Sequence, residues 1–251
     1  MKNFLRKMMQ SAGKVVEKVG NVAASTKSAS KAGKKENPEE SVNFQNPFPA
    51  ENQLRKWIEA FENKEIPSLL PNLSGKQVLQ ITSSGNRIWE SLQQKGAESI
   101  IDFDVGHFEG SPPSQKPPHL QMIKGNLKAA PFPSQSIDYL ILLGAGVRRE
   151  NPLEWMKEIS RVLKDGSRVI LSFIHPFIEY RFNPSRGIPH RFDEYFMALK
   201  KSEIYVEEIR ECLADESLKS SLGLSKNDKN FAQVKELPLL LIFRAVRLKR
   251  R

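Results

Sequence analysis

The chain has 251 residues, 39% of them hydrophobic, and a formal net charge of +10 from 39 basic and 29 acidic side chains. Its single cysteine, Cys212, excludes an internal disulfide and a thiolate-rich zinc site, and its four histidines show no metal-ligand spacing. No apolar run approaches the roughly 18 residues of a membrane-spanning helix. We therefore expect one folded domain with a tail, no bound metal and no integral membrane segment.

The positive charge is concentrated at the two ends of the chain. Residues 1–36 hold nine basic and two acidic residues, and residues 244–251 hold five basic and no acidic residues. The remaining residues, 37–243, carry a net charge of −2. Because this body is almost neutral, a nucleic-acid partner is not expected.

Residues 1–23 predict an amphipathic basic helix. At about 100° per residue, its apolar residues, which include Phe4, Met8 and Val15, lie within an arc of about 140° opposite several lysines. Three interpretations remain open: the helix binds an anionic membrane surface, serves as a mitochondrial presequence in a eukaryote, or packs against a protein. We expect a cytoplasmic location, peripheral to a membrane under the first interpretation.

Residues 24–43 lack an apolar period and are rich in Ser, Ala, Lys and Glu, which predicts a flexible linker. Residues 44–251 then form the folded domain. Its first helix is predicted from about Ala50, because apolar residues follow at helical spacing. The three tryptophans, Trp57, Trp89 and Trp155, are expected in the core.

The domain is organised around a predicted βαβ unit over residues 75–104. An apolar strand at 77–82 leads through a turn of small residues into a helix at 87–94, and a second strand ends on Asp102 and Asp104. Backbone N–H groups and acids at such strand ends can bind a nucleoside cofactor. A plain crossover with solvated acids is the alternative.

The elements after this unit continue the alternation of strands and helices. Four prolines in residues 106–118 exclude a long helix there. A helix at 152–163 is closed by a stop signal at 164–166. The predicted strands lie at 120–123, 137–143 and 167–173. This alternation predicts a mostly parallel α/β sheet with ligands at the carboxyl ends of its strands.

Two stretches, GNLKAAPFPSQSIDYLIL at 125–142 and NPLEWMKEISRVLKDGSRVILSFIHP at 151–176, resemble the core of class I S-adenosylmethionine-dependent methyltransferases, methyltransferase type 11-like. Segments 188–211 and 237–246 resemble later parts of the same family, so the resemblance covers about residues 70–248. It implies a Rossmann-like class I methyltransferase fold, with a mostly parallel seven-stranded sheet, helices on both faces and S-adenosylmethionine as cofactor.

The resemblance also implies a cofactor site at the ends of the first strands. The turn after the first strand approaches the methionine part of the cofactor, and a strand-end acid binds the ribose. An Asp commonly meets the adenine amino group, and Asn126 stands in its place here, with an amide oxygen that can accept the same bond without charge. Asp102 is an alternative to the ribose-binding acid. The residues assigned in this way are Thr82, Ser83, Ser84, Gly85, Asp104, Asn126 and Leu127.

This chain departs from the family pattern at the turn, which is degenerate. Gln80 stands where an acid is expected, and Thr82, Ser84 and Asn86 stand where glycines are expected. Side chains at glycine positions restrict the approach of the backbone to a ligand. Candidates for binding the acceptor are Arg148, Arg149 and His190.

Two functional hypotheses follow. The first is methyl transfer from S-adenosylmethionine to an unidentified oxygen, nitrogen or carbon acceptor, with catalysis by positioning. The second is a catalytically inactive methyltransferase-like protein, a pseudoenzyme that serves as a binding or scaffold module and is placed on a membrane by its first helix. The degenerate turn is the main support for the second hypothesis.

Overall fold

The computed structural model describes residues 51–82, 86–106, 119–143, 151–182, 190–225 and 227–249. The helix predicted for residues 1–23 and the linker predicted for residues 24–43 lie outside the described residues. Among the helices in the described ranges, none combines the length and the apolar character needed to cross a membrane.

The described residues form one mixed sheet with helices connecting its strands. The helices are α1 (Glu51–Leu69), α2 (Trp89–Gln94), α3 (Pro152–Val162), α4 (Pro176–Phe182), α5 (Phe192–Lys201), α6 (Glu216–Ser221) and α7 (Lys229–Val234). The strands are β1 (Gln77–Thr82), β2 (Ser99–Asp104), β3 (Leu120–Lys124), β4 (Ile137–Leu143), β5 (Leu163–Ile174), β6 (Ile204–Leu213) and β7 (Pro238–Arg247).

The seven strands lie in the order β3-β2-β1-β4-β5-β7-β6. Strand β7 runs antiparallel to both of its neighbours, and the other pairs are parallel. The predicted fold class, a mostly parallel seven-stranded sheet, is therefore confirmed.

Helices cover both faces of the sheet, as predicted, and alternate strand residues enter two separate hydrophobic cores. Val78 and Ile100 belong to the core that includes α1 and α2, whereas Leu79 and Ile101 belong to the core that includes α3 and α5. Because central parallel strands are buried on both faces, β4 reads as an almost continuous apolar run. All three tryptophans are buried in these cores, which confirms their prediction.

Two elements begin at least two residues away from their predicted starts. Strand β5 begins at Leu163, directly after α3, and the segment 164–166 that was predicted to end the helix lies inside the strand. Leu163 is already extended (φ −72°, ψ 135°) and pairs with Ile137 of β4. The next pair is Tyr139 with Arg168, so the residues between form an irregularity in the strand, where Gly166 has a positive φ of 78°. Helix α2 begins at Trp89 rather than at residue 87. Arg87 is paired with Asp102 of β2, and the backbone N of Ile88 donates to Gln80 of β1, so both residues are held against the sheet.

The only cysteine of the chain, Cys212 on β6, is 7% exposed. Burial raises the pKa of its thiol to about 12. Because the thiolate is the reactive form of cysteine, this residue is chemically inert in the folded chain at neutral pH.

Candidate functional site

The carboxyl ends of β1, β2 and β3 lie side by side at one edge of the sheet. Thr82 at the end of β1 is the register partner of Asp104 at the end of β2, which in turn pairs with Lys124. Two backbone hydrogen bonds extend this contact: Val105 N donates to Thr82 O at 3.0 Å, and Gly125 N donates to Asp104 O at 3.1 Å. The structure thus brings together Thr82, Asp104 and the loop that contains Asn126.

Thr82 and Asp104 both carry buried oxygen atoms with unused hydrogen-bonding capacity. The Thr82 hydroxyl is fully buried and has no partner within the described part of the chain. The Asp104 side chain is 5% exposed, and its Oδ1 accepts from Gly106 N at 2.9 Å, which leaves Oδ2 without a described partner. Buried polar atoms are normally satisfied, so a hydroxyl-bearing ligand at this edge would complete both groups.

Asn126 begins the loop that borders these two residues. It is exposed and caps a 3-10 helix at Leu127–Ala129, where its Oδ1 accepts from Lys128 N at 2.8 Å. One lone pair of the amide oxygen and the whole NH₂ group remain available. Leu127 is 2% exposed, and its side chain packs into the core beneath the loop.

Gly125 fixes the path of this loop over the sheet. A Cβ atom at this position would come within 2.7 Å of the Phe103 ring, so any residue other than glycine would require the ring to shift. The ring of Phe103 in turn packs edge-on against Phe132, with ring centroids 5.2 Å apart. The loop therefore has a defined position next to Asp104.

The next part of the loop, at Ala130 and Phe132, is held by two charged residues of α3. The Arg161 guanidinium donates to Phe132 O at 2.8 Å and to Ala130 O at 3.0 Å, and it forms an ion pair with Glu158 at 2.7 Å. Glu158 Oε1 also accepts from Ala130 N at 2.9 Å. The hydrogen bond from Arg161 lowers the pKa of the Glu158 carboxyl.

His190 lies away from this cluster, next to α5. Its Nδ1 is 3.5 Å from Glu194 Oε2, and its ring contacts Tyr195 edge-on with a centroid separation of 5.7 Å. Together with Asn151 and Leu153 of the neighbouring α3 region, it lines a groove of about 490 Å³. The other predicted site residues, Ser83, Ser84, Gly85, Arg148 and Arg149, lie outside the described residues.

A second polar cluster, buried beside Thr82, joins β1, β2 and the start of α2. Arg87 Nε donates to Asp102 Oδ2 at 2.7 Å, and Gln80 Nε2 donates to Asp102 Oδ1 at 3.3 Å. Gln80 Oε1 accepts from the backbone N of Ile88 at 3.1 Å. Burial raises the pKa of the Asp102 carboxyl, although Arg87 opposes this effect. Because both oxygens of Asp102 are engaged, Asp104 is the acid available to a ligand.

Glu62 of α1 is a buried acid that the sequence analysis missed. Its side chain is fully buried, and its carboxylate accepts from Asn86 Nδ2 at 2.7 Å and from the hydroxyl of Ser172 on β5. The signal was present in the sequence, since Glu62 interrupts the stripe Leu54, Ile58 and Ile66 at a spacing of four residues. An acid on the buried stripe of a helix points to a specific polar partner.

In the described ranges no group of three His, Cys, Asp or Glu side chains is placed to hold a metal ion. The chemistry at the edge of the sheet is that of hydrogen-bond acceptors and one hydroxyl. Such groups suit the hydroxyls and amino group of a nucleoside.

The strand order and the position of this edge define the class I methyltransferase fold. One similar solved structure is an S-adenosylmethionine-dependent methyltransferase from Mesorhizobium loti, with a TM-score of 0.57 and 14% identity, covering 74% of this chain and 97% of that one. Another is the geranyl diphosphate C-methyltransferase from Streptomyces coelicolor, solved with Mg²⁺, geranyl diphosphate and S-adenosyl-L-homocysteine. Its TM-score is 0.55 at 13% identity, covering 79% of this chain and 85% of that one.

The sequence comparison agrees with the fold. Residues 79–171 match the family model described as a methyltransferase domain. A curated relative, the demethylmenaquinone methyltransferase of Renibacterium salmoninarum, is 25% identical over 148 residues, which are 58% of this chain. The match spans 56% of the relative, little more than half of its length. Residues 79–171 are therefore similar to a methyltransferase domain, and the chain has the class I methyltransferase fold.

Proposed function

We propose that this chain binds S-adenosylmethionine at the edge formed by Thr82, Asp104 and Asn126 and transfers its methyl group to an acceptor molecule. The observation that carries the proposal is the buried Asp104 carboxylate, which keeps one oxygen available beside the unsatisfied Thr82 hydroxyl. The relative from Renibacterium is by name a methyltransferase, and the Streptomyces structure contains S-adenosyl-L-homocysteine. Both support the assignment of the ligand.

Each of the three residues has a distinct role in holding the nucleoside. The Asp104 carboxylate accepts hydrogen bonds from the ribose hydroxyls, and charge-assisted bonds of this kind contribute about 1.5–3 kcal/mol each. The Thr82 hydroxyl gains a hydrogen-bond partner, which it lacks among the described residues. The amide oxygen of Asn126 can accept from the adenine amino group without adding charge.

The proposed reaction depends on positioning more than on acid–base chemistry. S-adenosylmethionine supplies an activated methyl group on its sulfonium centre. The chain contributes a rigid strand edge, with Thr82 and Asp104 fixed by backbone hydrogen bonds. Holding two reactants in line in this way lowers the entropic cost of reaction. On the acceptor side we propose Arg148, Arg149 and His190, of which His190 lines the groove beside α3.

The test is a titration of the purified chain with S-adenosyl-L-homocysteine, followed by calorimetry. Asp104→Ala should weaken binding by more than tenfold, because the ribose loses a charged acceptor. Asp104→Asn should fall between this variant and the unmodified chain. The matched control, Asp193→Ala on the exposed start of α5, should leave affinity unchanged. Unchanged affinity in Asp104→Ala would overturn the site.

A second function remains tied to a specific observation, the absence of glycine at Thr82 and Asn86. A chain that ignored S-adenosylmethionine and S-adenosyl-L-homocysteine at millimolar concentration would be a methyltransferase-like binding or scaffold protein without transfer activity. Binding in the micromolar range would instead justify a search for the acceptor.

A further inference from the structure

We infer that Glu62 is a positioning residue for the cofactor site. Through Asn86 it fixes the segment Asn86–Ile88, which stands against the strand edge that carries Thr82 and Asp104. This inference rests on the proposed function and extends it to a residue of α1 that touches neither ligand nor reacting atoms.

Glu62 occupies a position on α1 where an apolar side chain is expected, so the role of its carboxylate lies in the hydrogen bonds that it accepts. It lies four residues after Ile58 and four before Ile66, and both neighbours are completely buried core residues. An apolar side chain at position 62 would continue this stripe without the cost of removing a carboxylate from water. Hydrogen bonds from Asn86 and Ser172 help to offset that cost.

Asn86 is held from two directions. Its side chain is bonded to Glu62 on α1, at 2.7 Å, while its backbone oxygen accepts from Gln80 Nε2 on β1 at 3.5 Å. The first of these bonds is short and involves a charged acceptor, so it is the stronger anchor. Asn86 is itself only 8% exposed, which leaves its amide dependent on protein partners.

The rest of the segment is anchored in the same manner. Arg87 forms an ion pair with Asp102 of β2, and the backbone N of Ile88 donates to Gln80 Oε1. Side chains from α1, β1 and β2 thus converge on three consecutive residues. Glu62 supplies the part of this anchorage that comes from outside the sheet.

This anchorage matters because the chain lacks the glycines that its family uses at this turn. When a binding-competent conformation is only partly populated, the apparent dissociation constant rises by the inverse of that fraction. A network that fixes Asn86 keeps the population high without glycine. Loss of the contact should therefore weaken cofactor binding even though Glu62 does not touch the cofactor.

The experiment exchanges the hydrogen-bond donor and acceptor in the contact between Asn86 and Glu62. Asn86→Asp sets two carboxylates against each other and should weaken binding of S-adenosyl-L-homocysteine by at least tenfold. In the double variant Glu62→Gln with Asn86→Asp, the new amide at position 62 can donate to the carboxylate introduced at position 86, and affinity should return to within about threefold of the unmodified chain. Glu62→Gln alone should stay near the original affinity, because its amide oxygen can still accept from Asn86.

Two further readouts separate positioning from general stability. The first is the hydrogen-exchange rate of the Ile88 amide in ligand-free protein, which should rise in Asn86→Asp and recover in the double variant. The second is a control variant, Ile159→Val, which removes one methyl group from the core on the other face of the sheet. It should lower the melting temperature without changing the affinity for S-adenosyl-L-homocysteine or the exchange rate of the Ile88 amide. If Asn86→Asp does not fold, Asn86→Ser, which is too short to reach Glu62, takes its place.

The two ideas can fail separately. Unchanged affinity and unchanged Ile88 exchange in Asn86→Asp, or no recovery in the double variant, would overturn the role of Glu62. If the unmodified chain binds no S-adenosyl-L-homocysteine, the proposed function fails, and the inference fails with it as a statement about a cofactor site. Weakened binding with recovery in the double variant would support both.

Discussion

Gln80 shows how one residue can depart from a family pattern for a local physical reason. It stands where the resemblance predicts an acid, yet its amide oxygen still accepts the backbone N–H of Ile88. Its NH₂ group donates to Asp102, whose carboxylate is already buried beside Arg87. An acid at position 80 would place a second carboxylate next to Asp102. The negative charge that the family pattern has on β1 is carried in this chain by Asp102 on β2.

We therefore predict that Gln80→Glu, which introduces an acid at this position, destabilises the chain. A second buried carboxylate about 3.3 Å from Asp102, whose other oxygen is paired with Arg87, should lower the free energy of unfolding by about 3 kcal/mol at pH 7. In the variant, each of the two buried carboxylates raises the pKa of the other in the folded state. The destabilisation is therefore complete at high pH and decreases as pH falls through the raised pKa. Urea unfolding at pH 7 and pH 5 measures both effects.

The control for this prediction removes the other charge. Gln80→Glu combined with Asp102→Asn leaves one carboxylate for Arg87 and should recover most of the lost free energy. If Gln80→Glu alone unfolds at the same urea concentration as the unmodified chain, this explanation of the amide is wrong.

The sequence predicts some site residues better than others, and the difference is physical. Thr82 and Asp104 follow from strand-end positions, because parallel strands align their carboxyl ends at one edge. The partners of Glu62 depend on α1 lying over the same end of the sheet, and the ion pair of Arg87 depends on the packing of the segment before α2 against β2. Local periodicity specifies neither of these contacts. Asn126 was predicted through the resemblance, and the cap that it forms is a local contact with the backbone N of Lys128.

At the scale of elements, α3 does more than cover the sheet. Arg161 joins the helix to the loop after Asn126 through the carbonyl oxygens of Ala130 and Phe132, and Glu158 receives the N–H of Ala130. These hydrogen bonds hold the loop at a fixed position relative to α3. This explains physically why the helix and the proline-containing loop occur together in the stretch that resembles the family.

We predict that Arg161→Met lowers the free energy of unfolding by about 2 kcal/mol at pH 7, because two carbonyl oxygens and Glu158 lose a shared donor. The lowered pKa of Glu158 means that its contribution is present above the unfolded value of about 4.3 and is lost as pH falls through the folded value. The difference between variant and original should therefore shrink below about pH 4 in urea titrations.

A matched variant, Arg191→Met, tests whether this loss is specific. Arg191 has a 68% exposed side chain and pairs only with exposed Asp193 among its described ion pairs, so its removal should cost less than about 0.5 kcal/mol. Equal losses in the two variants would argue against a structural role for the Arg161 fork.

Element positions were largely predictable, with informative exceptions. β1 and β4 match their predicted ranges, because apolar runs bounded by turn residues mark buried parallel strands. The start of β5 was not predictable, since Gly166 has the sequence signature of a helix cap. In the structure its positive φ of 78° lies in the irregularity between the pairs Ile137–Leu163 and Tyr139–Arg168. The short helices α6 and α7 were not predicted, although Asp215 and Asp228 cap them.

At the scale of the whole molecule, charge separates the ends of the chain from its body. The helices and most of the sheet belong to residues 37–243, which carry a net charge of −2, while residues 1–36 carry most of the excess positive charge. The end of β7, with Arg244 and Arg247, extends into the basic C-terminal segment. Alternating strands and helices predicted the parallel part of the fold. The antiparallel strand β7 cannot be derived from alternation, and it was expected only through the family resemblance.

We propose that the basic N-terminal residues bind an anionic membrane surface, and the deletion of residues 1–36 tests this. The shortened chain should lose binding to phosphatidylserine vesicles at low salt and keep its affinity for S-adenosyl-L-homocysteine, because each basic residue near such a surface contributes about 1 kcal/mol. Vesicle co-sedimentation at low salt and at about 0.5 M salt measures the first effect. Full-length chain that ignores the vesicles at low salt would reject the proposal.

The burial of Cys212 makes this chain well suited to spectroscopic labelling. A maleimide or nitroxide reagent at neutral pH meets no accessible thiolate on the folded protein, since the only native thiol has a pKa of about 12. A cysteine introduced for Met122, which is 37% exposed on β3, would carry a single probe on the strand next to β2. Binding of S-adenosyl-L-homocysteine at the proposed site could then be followed without removing the native cysteine.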